Sequence, residues 1–132
     1  MTALNENAIT KLASIIVDMN VVAVTSLFEI PPGKKGVITH VILRPATAGF
    51  TTLAACNDVD YGKAGAATDW ANAADPSALI NADLCVILKS PETWEVASPV
   101  YDAGEIFQVD VQTGAAAGSN VVHEVFGTLW DE

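Results

Sequence analysis

The chain has 132 residues, of which 51% are hydrophobic and 17% are charged, and its formal net charge is −10 at pH 7. This length suits one domain over residues 1–132. Six basic against 16 acidic residues disfavour nucleic acid and anionic membrane surfaces, which both require clustered Lys and Arg, and favour a neutral or basic partner. No signal peptide or bilayer-spanning run is evident, so we expect synthesis and folding in a cytoplasm.

The first 19 residues carry two competing patterns. Ile9, Leu12, Ile16 and Met19 fall on one helical stripe, whereas the stretch "SIIVDMNVV" is rich in β-branched residues that favour strands. We therefore expect residues 1–19 to form an N-terminal arm or a short helix before the first clear strand. Apolar side chains in such an arm would be exposed unless a neighbouring chain covered them. The predicted assembly interface consists of Ile9, Leu12, Ile15 and Ile16.

Alternating hydrophobic residues follow and predict strands. The turn "PPGKKG" separates a strand ending near Ile30 from a strand that begins at Val37 and that Pro45 should end. In that second strand we expect Val37, Thr39, Val41 and Leu43 to share one face. Seven to nine short strands with Gly and Pro between them indicate an all-β fold, an antiparallel β-sandwich or barrel. The predicted core of the sandwich includes Val22, Val24, Phe28, Phe107, Val109 and Val111.

The middle of the chain, residues 57–83, is poor in β-branched residues and rich in Ala, Asn, Asp and Gly. We interpret it as a long surface excursion, and long connections of this kind are usually functional or make contacts. It contains "NDVDYG" (57–62), which resembles the start of a calcium loop but lacks the third oxygen ligand and the bidentate Glu.

Residues that could carry chemistry are few and dispersed. His40 and His123 each stand alone on a predicted strand, where a histidine usually contacts neighbours or solvent, and no metal-ligand pair accompanies them. No nucleophile motif or phosphate-binding loop is present, although 16 carboxylates leave a chance acidic pair open. We therefore predict no catalytic residues, no metal, no cofactor and no enzymatic activity.

Aromatic and cysteine residues leave alternatives open. Five aromatic residues could form a sugar-stacking platform, or fill a core or a subunit interface; these are Tyr61, Trp70, Trp94, Tyr101 and Trp130. Cys56 and Cys85 have no CxxC spacing and are most simply two small buried hydrophobic residues, and whether they form a disulfide stays open.

Three segments carry a resemblance to bacteriophage virion proteins: "VTSLFEIPPGKKGVITHVILR", "PVYDAGEIFQVDV" and "VVHEVFGTLW". In those proteins a strand ends in Leu-aromatic-x-hydrophobic before Pro-x-Gly-Lys, an Ala-Gly-acidic stretch begins a late strand, and a Phe-Gly pair precedes a final aromatic residue. The resemblance implies a jelly-roll or β-sandwich subunit of a phage particle, such as a capsid decoration (cement) protein.

Several expectations follow from that resemblance. The partner would be the major capsid protein or another virion protein, the chain would be a homo-oligomer with three copies, and it would be located on the capsid surface after assembly in the host cytoplasm. A tail or fibre component is the alternative within this class. A carbohydrate-binding β-sandwich module is the alternative outside it, and its exposed aromatic residues would line a groove.

Overall fold

A computed structural model describes residues 8–89, 99–116 and 118–132 of the chain. Within these ranges no helix has the length and hydropathy that a membrane span requires. The described residues form nine strands: β1 (Thr10–Asp18), β2 (Val24–Glu29), β3 (Lys34–Phe50), β4 (Asp58–Lys63), β5 (Ala66–Ala74), β6 (Val86–Lys89), β7 (Tyr101–Asp102), β8 (Ile106–Thr113) and β9 (Ser119–Asp131).

The strands form two antiparallel sheets. Sheet A has the order β1-β9-β3-β6, with the two-residue β7 also paired to β3, and sheet B has the order β2-β8-β4-β5. Apart from β7 and the β4–β5 hairpin within sheet B, the chain alternates between the sheets, which is the strand order of a jelly roll with eight strands in two Greek keys. The prediction of an antiparallel sandwich of the jelly-roll type is confirmed.

Two segments assigned from sequence as irregular are strands. The expected arm or short helix over residues 1–19 is wrong where the chain is described, because Thr10–Asp18 forms β1 and pairs with β9 along its length. The expected surface excursion over residues 57–83 is wrong as well, because β4 and β5 lie within it as a hairpin of sheet B. Inward-facing Val59, Tyr61 and Trp70 supply enough core contact to outweigh the low β-propensity of the alanines around them.

The predicted core is half correct. Phe107, Val109 and Val111 are fully buried, but Val22 and Val24 are 64% and 54% exposed. The reason is local: β2 begins only at Val24, and its pairing with β8 shifts between Ser26 and Phe28. Before the bulge, regular alternation places Val24 outward, opposite Asp110, and Leu27 in the core; beyond the bulge Phe28 is partly buried and Ile30 is fully buried.

A β-bulge at Thr39 determines which side chains of β3 face inward. The pairing of β3 with β9 shifts between Ile38 and His40, so Ile38, Val41 and Leu43 are buried. The predicted shared face of Val37, Thr39, Val41 and Leu43 is therefore wrong. Pro45 also does not end the strand, because β3 continues to Phe50. Pairing becomes irregular just beyond Pro45, as expected for a residue that cannot donate to the ladder.

Three polar contacts join the sheets through the core, and an aromatic side chain makes each one. The Trp70 indole on β5 donates to the Ile38 carbonyl oxygen at the Thr39 bulge (2.9 Å). The Tyr61 hydroxyl on β4 is 2.9 Å from Nε2 of His123 on β9. The Tyr101 hydroxyl on β7 donates to a carboxylate oxygen of Asp69 on β5 (3.0 Å). In the described part of the chain no buried side-chain polar atom lacks a partner.

We expect Gly127→Ala to lower the free energy of unfolding by more than about 2 kcal/mol, because overpacking a closed site forces backbone shifts. A Cβ at Gly127 would overlap the Val37 carbonyl oxygen and lie 3.0 Å from Cδ1 of Leu12. Denaturant unfolding measures the change. Gly33→Ala is the control: its Cβ meets open space, so only the positive φ of 76° should cost about 1 kcal/mol. Equal losses in the two variants would contradict the steric argument.

Candidate functional site

The two histidines have different surroundings, and neither belongs to a cluster of ionisable groups. His40 stacks on Phe126 with ring centroids 4.6 Å apart, and burial lowers its pKa. His123 is fully buried, and burial lowers its pKa to about 4. Nδ1 of His123 lies 3.4 Å from the Val121 carbonyl oxygen, which can only accept, so Nε2 is the acceptor for the Tyr61 hydroxyl. Both side chains contact neighbours, as the sequence interpretation expected.

The acidic residues of "NDVDYG" lie on a strand. Asp58 and Asp60 are on β4, with their side chains on the outer face of sheet B, and Asp60 accepts a hydrogen bond from the Ala73 amide (2.8 Å). Among the described residues no group of three or more His, Cys, Asp or Glu side chains is arranged to hold a metal ion. The absence of a metal and of catalysis stays a prediction.

The aromatic and cysteine alternatives can now be decided for most of the residues. Tyr61, Trp70 and Tyr101 are at most 3% exposed, so these three fill the core and offer no sugar-stacking surface. Trp130 is partly buried on β9, and Trp94 lies outside the described residues. Cys56 is buried, and burial raises the pKa of its thiol to about 11, whereas Cys85 is exposed; both are free. The interpretation as two buried residues is therefore wrong for Cys85.

The strongest candidate for a contact surface is one end of the sandwich, which we call the loop end. Four connections meet there, and backbone hydrogen bonds join them: Ala115 donates to Met19, Thr51 to Gly118, and Leu53 to Leu79. None of the four contains Lys or Arg. Four aliphatic side chains in two of the loops are exposed: Val21, Val22, Ile80 and Leu84. The loop end consists of residues 19–23, 51–57, 75–85, 114–116 and 118.

The opposite end is charged. Ion pairs join Lys34 to Asp131, Lys35 to Asp102 and Lys63 to Glu105. The Asp102 amide hydrogen bond and the Lys63 ammonium lower the pKa of Glu105. Solvent-exposed pairs of this kind add little stability individually. They do balance the charge locally, so the two ends of the molecule present different chemistry: ion pairs at one, and at the other exposed aliphatic side chains with Asp75 and Asp83 and no Lys or Arg.

The predicted assembly residues lie on β1 and its N-terminal extension, and the structure divides them in two. Ile9 and Ile16 are 59% and 62% exposed, and Leu12 and Ile15 pack against the core. An assembly role stays a prediction for the exposed pair. Removal of residues 1–18 is not a clean test of it, because β1 contributes the buried Val17 to the core and would be lost.

No protein-family model matches the chain, and a search of curated proteins finds no match. Among solved structures, the chain is similar to one described as "Cyanophage Pam1 capsid asymmetric unit", with 15% sequence identity and a TM-score of 0.49. The match covers 96% of this chain and 87% of that chain. At this identity most side chains differ between the two proteins, so the interaction surfaces of this chain must be inferred from its own residues.

His123 should make the stability of the fold depend on pH. Its pKa is about 4 when folded and 6.5 when unfolded, so the unfolded chain binds more protons between these values. The contribution is complete above pH 6.5 and is lost as the pH falls toward 4. We expect the free energy of unfolding to drop by about 2 kcal/mol from pH 7 to pH 5 because of this residue.

Denaturant unfolding at the two pH values tests this expectation. His123→Gln should remove most of the difference, because glutamine does not titrate and its amide can accept from Tyr61. His40→Gln is the matched control and should keep most of it, because the ring of His40 is only partly buried. A pH dependence that survives in His123→Gln and disappears in His40→Gln would contradict the assignment.

Proposed function

We propose that this chain is a structural protein of a bacteriophage virion that catalyses no reaction, and that it is a capsid decoration protein which binds and stabilises the shell. The observation that carries the proposal is the loop end, an aliphatic surface on a protein whose net charge is −10. Proteins with strong net charge stay apart through self-repulsion, so a surface of exposed aliphatic side chains, here with Asp75 and Asp83 as its acidic residues, is where a lasting contact requires little desolvation of charge.

The loop end is suited to a permanent contact because its backbone is fixed. Hydrogen bonds join all four loops, and Met19, Leu53, Cys56 and Leu79 beneath them are fully buried. Ordering of flexible loops on binding would oppose association. A surface that is already ordered avoids that loss, which favours a stable attachment over a transient one.

The residues that resemble phage virion proteins lie together in the fold. Ile30, just before the turn of the first segment, donates its amide to the Glu105 carbonyl of the second and accepts from the Gly104 amide. Gly33 in the first segment accepts from the Glu132 amide, just after the third. The three segments thus build the charged end of the sandwich. In the proposed attachment the loop end faces the shell and the charged end is directed outward.

The test uses purified particles from which the chain has been removed by deletion of its gene, with the purified chain added back. We expect saturable rebinding and greater resistance of the particles to heat. Val22→Asn combined with Ile80→Asn should weaken rebinding at least about tenfold, because each substitution removes a buried aliphatic contact.

Val100→Asn is the control for this experiment. Val100 is comparably exposed at 46% but lies near the other end, beside β7. Rebinding should be unchanged in this variant. Binding only to isolated tails or fibres would favour the alternative of a tail or fibre component, and saturable binding to a polysaccharide with no binding to particles would overturn the virion proposal.

A further inference from the structure

The outer face of sheet A combines aliphatic and basic side chains. Cross-strand pairing aligns Ile16 of β1 with Val122 of β9, and Ile42 of β3 with Ile87 of β6. Half of the basic residues in the chain surround this row, and Glu124 bridges two of them, at 3.1 Å from Lys11 and 3.3 Å from Arg44. Lys35 and Asp102 lie on this face at the charged end and are paired with each other (3.0 Å). The other charged side chains of this face are Lys11, Arg44, Lys89, Asp18 and Glu124, so the face has a net charge of +1 and the remainder −11.

The outer face of sheet B has the opposite charge. Asp110 of β8 lies directly across from Asp60 of β4 on one side and from Val24 of β2 on the other. Like charges in direct cross-strand opposition are unfavourable. Asp58 lies two residues from Asp60 on the same strand, and no Lys or Arg of the described residues lies on this face. The Asp110 carboxylate has no hydrogen-bond or ion-pair partner in the described part of the chain.

The edges of the sheets are protected against strand addition. The edge strands β1, β2 and β5 each contain a register shift, and β5 also contains Ala73 with φ of 56°. The remaining edge, within the described ranges, is formed by four residues of β6 and the two residues of β7. Bulges and short edges are the devices by which proteins prevent edge-to-edge pairing. Contact between copies of this chain therefore falls to the sheet faces and the loop end.

We infer that copies of this chain associate face to face, with the aliphatic and basic outer face of sheet A on one copy against the acidic outer face of sheet B on the next. In this contact the basic residues Arg44 and Lys89 lie opposite Asp58 and Asp110. The aliphatic residues Ile16, Ile42 and Ile87 lie opposite the part of sheet B that contains Val24. Two sheet A faces would oppose like charges, so charge complementarity favours the unlike pairing. Such a contact is heterologous, the class that a three-fold ring also requires, and it repeats from copy to copy.

The experiment is a charge-reversal cycle with the isolated chain, measured by sedimentation velocity and light scattering. Arg44→Glu with Lys89→Glu makes the sheet A face acidic, and Asp58→Lys with Asp110→Lys makes the sheet B face basic. Asp60 stays unchanged because it holds the Ala73 amide. Each double variant alone should associate at least about 100-fold more weakly than the natural chain. An equimolar mixture of the two should recover association, because the reversed faces are again complementary.

Controls separate this contact from a net-charge effect and from shell binding. Lys34→Glu with Lys35→Glu changes the net charge by the same amount as the sheet A variant, but at the charged end, and should leave association unchanged. Circular dichroism and thermal melting verify folding of every variant. A monomeric natural chain at high concentration, or a mixture that stays monomeric, would overturn the inference. The Val22→Asn and Ile80→Asn substitutions should leave self-association intact, so this inference and the proposed shell contact can fail independently.

Discussion

The two sheets of this sandwich are tied together by the polar ends of aromatic side chains. Two packed sheets lie about 10 Å apart, and a purely apolar core would position them only by the shapes of its side chains. In this sandwich Tyr61 and Trp70 extend from sheet B and reach a histidine and a carbonyl group of sheet A. An unpaired hydroxyl or indole N–H in that core would cost roughly 1–3 kcal/mol. Only one relative placement of the sheets satisfies both groups, so these contacts fix the register of one sheet over the other.

The Thr39 bulge is part of the same constraint. The extra residue frees the Ile38 carbonyl from the ladder, and Trp70 donates to it, while the Thr39 hydroxyl donates to the Phe126 carbonyl oxygen (3.1 Å). The irregularity in the longest strand thus leaves neither the Ile38 carbonyl nor the Thr39 hydroxyl unpaired. It also sets the outer face of sheet A, because it turns His40 outward to stack on Phe126. A core contact therefore determines the composition of a surface.

The buried residues of a strand could be predicted from the sequence where the strand's own alternation determines them. They could not be predicted where pairing with another strand determines which side chains face inward. Strand β8 shows strict alternation, and its buried residues were correctly predicted. The β2 and β3 faces were shifted by bulges whose causes, Trp70 and the β8 register, lie far along the chain. The β5 strand was missed because alanines give no β signal. The environment of His123 could not be foreseen either, because its partner Tyr61 is 62 residues away.

The candidate surfaces were predicted only in part for a related reason. Ile16 is exposed because it lies on β1, an edge strand of sheet A. The sequence pattern of this segment did not distinguish a strand from a helix. The loop end could not be predicted, because its aliphatic residues come from loops that are brought together by backbone hydrogen bonds rather than by any local motif. Its charge pattern was present in the sequence, but only the topology shows that four loops without Lys or Arg meet at one end.

A jelly roll with protected edges has four surfaces left for assembly: two faces and two ends. In this chain the two faces carry opposite charge, one end carries ion pairs, and the other is aliphatic. Each face therefore repels the same face of another copy, and the charged end forms its ion pairs within the chain. The aliphatic end has neither property. The faces lie on opposite sides of the sandwich and the loop end is perpendicular to both, so the contact proposed between copies and the contact proposed with a shell use different residues. This geometry allows a layer of subunits to attach to a common surface without competition between the two contacts.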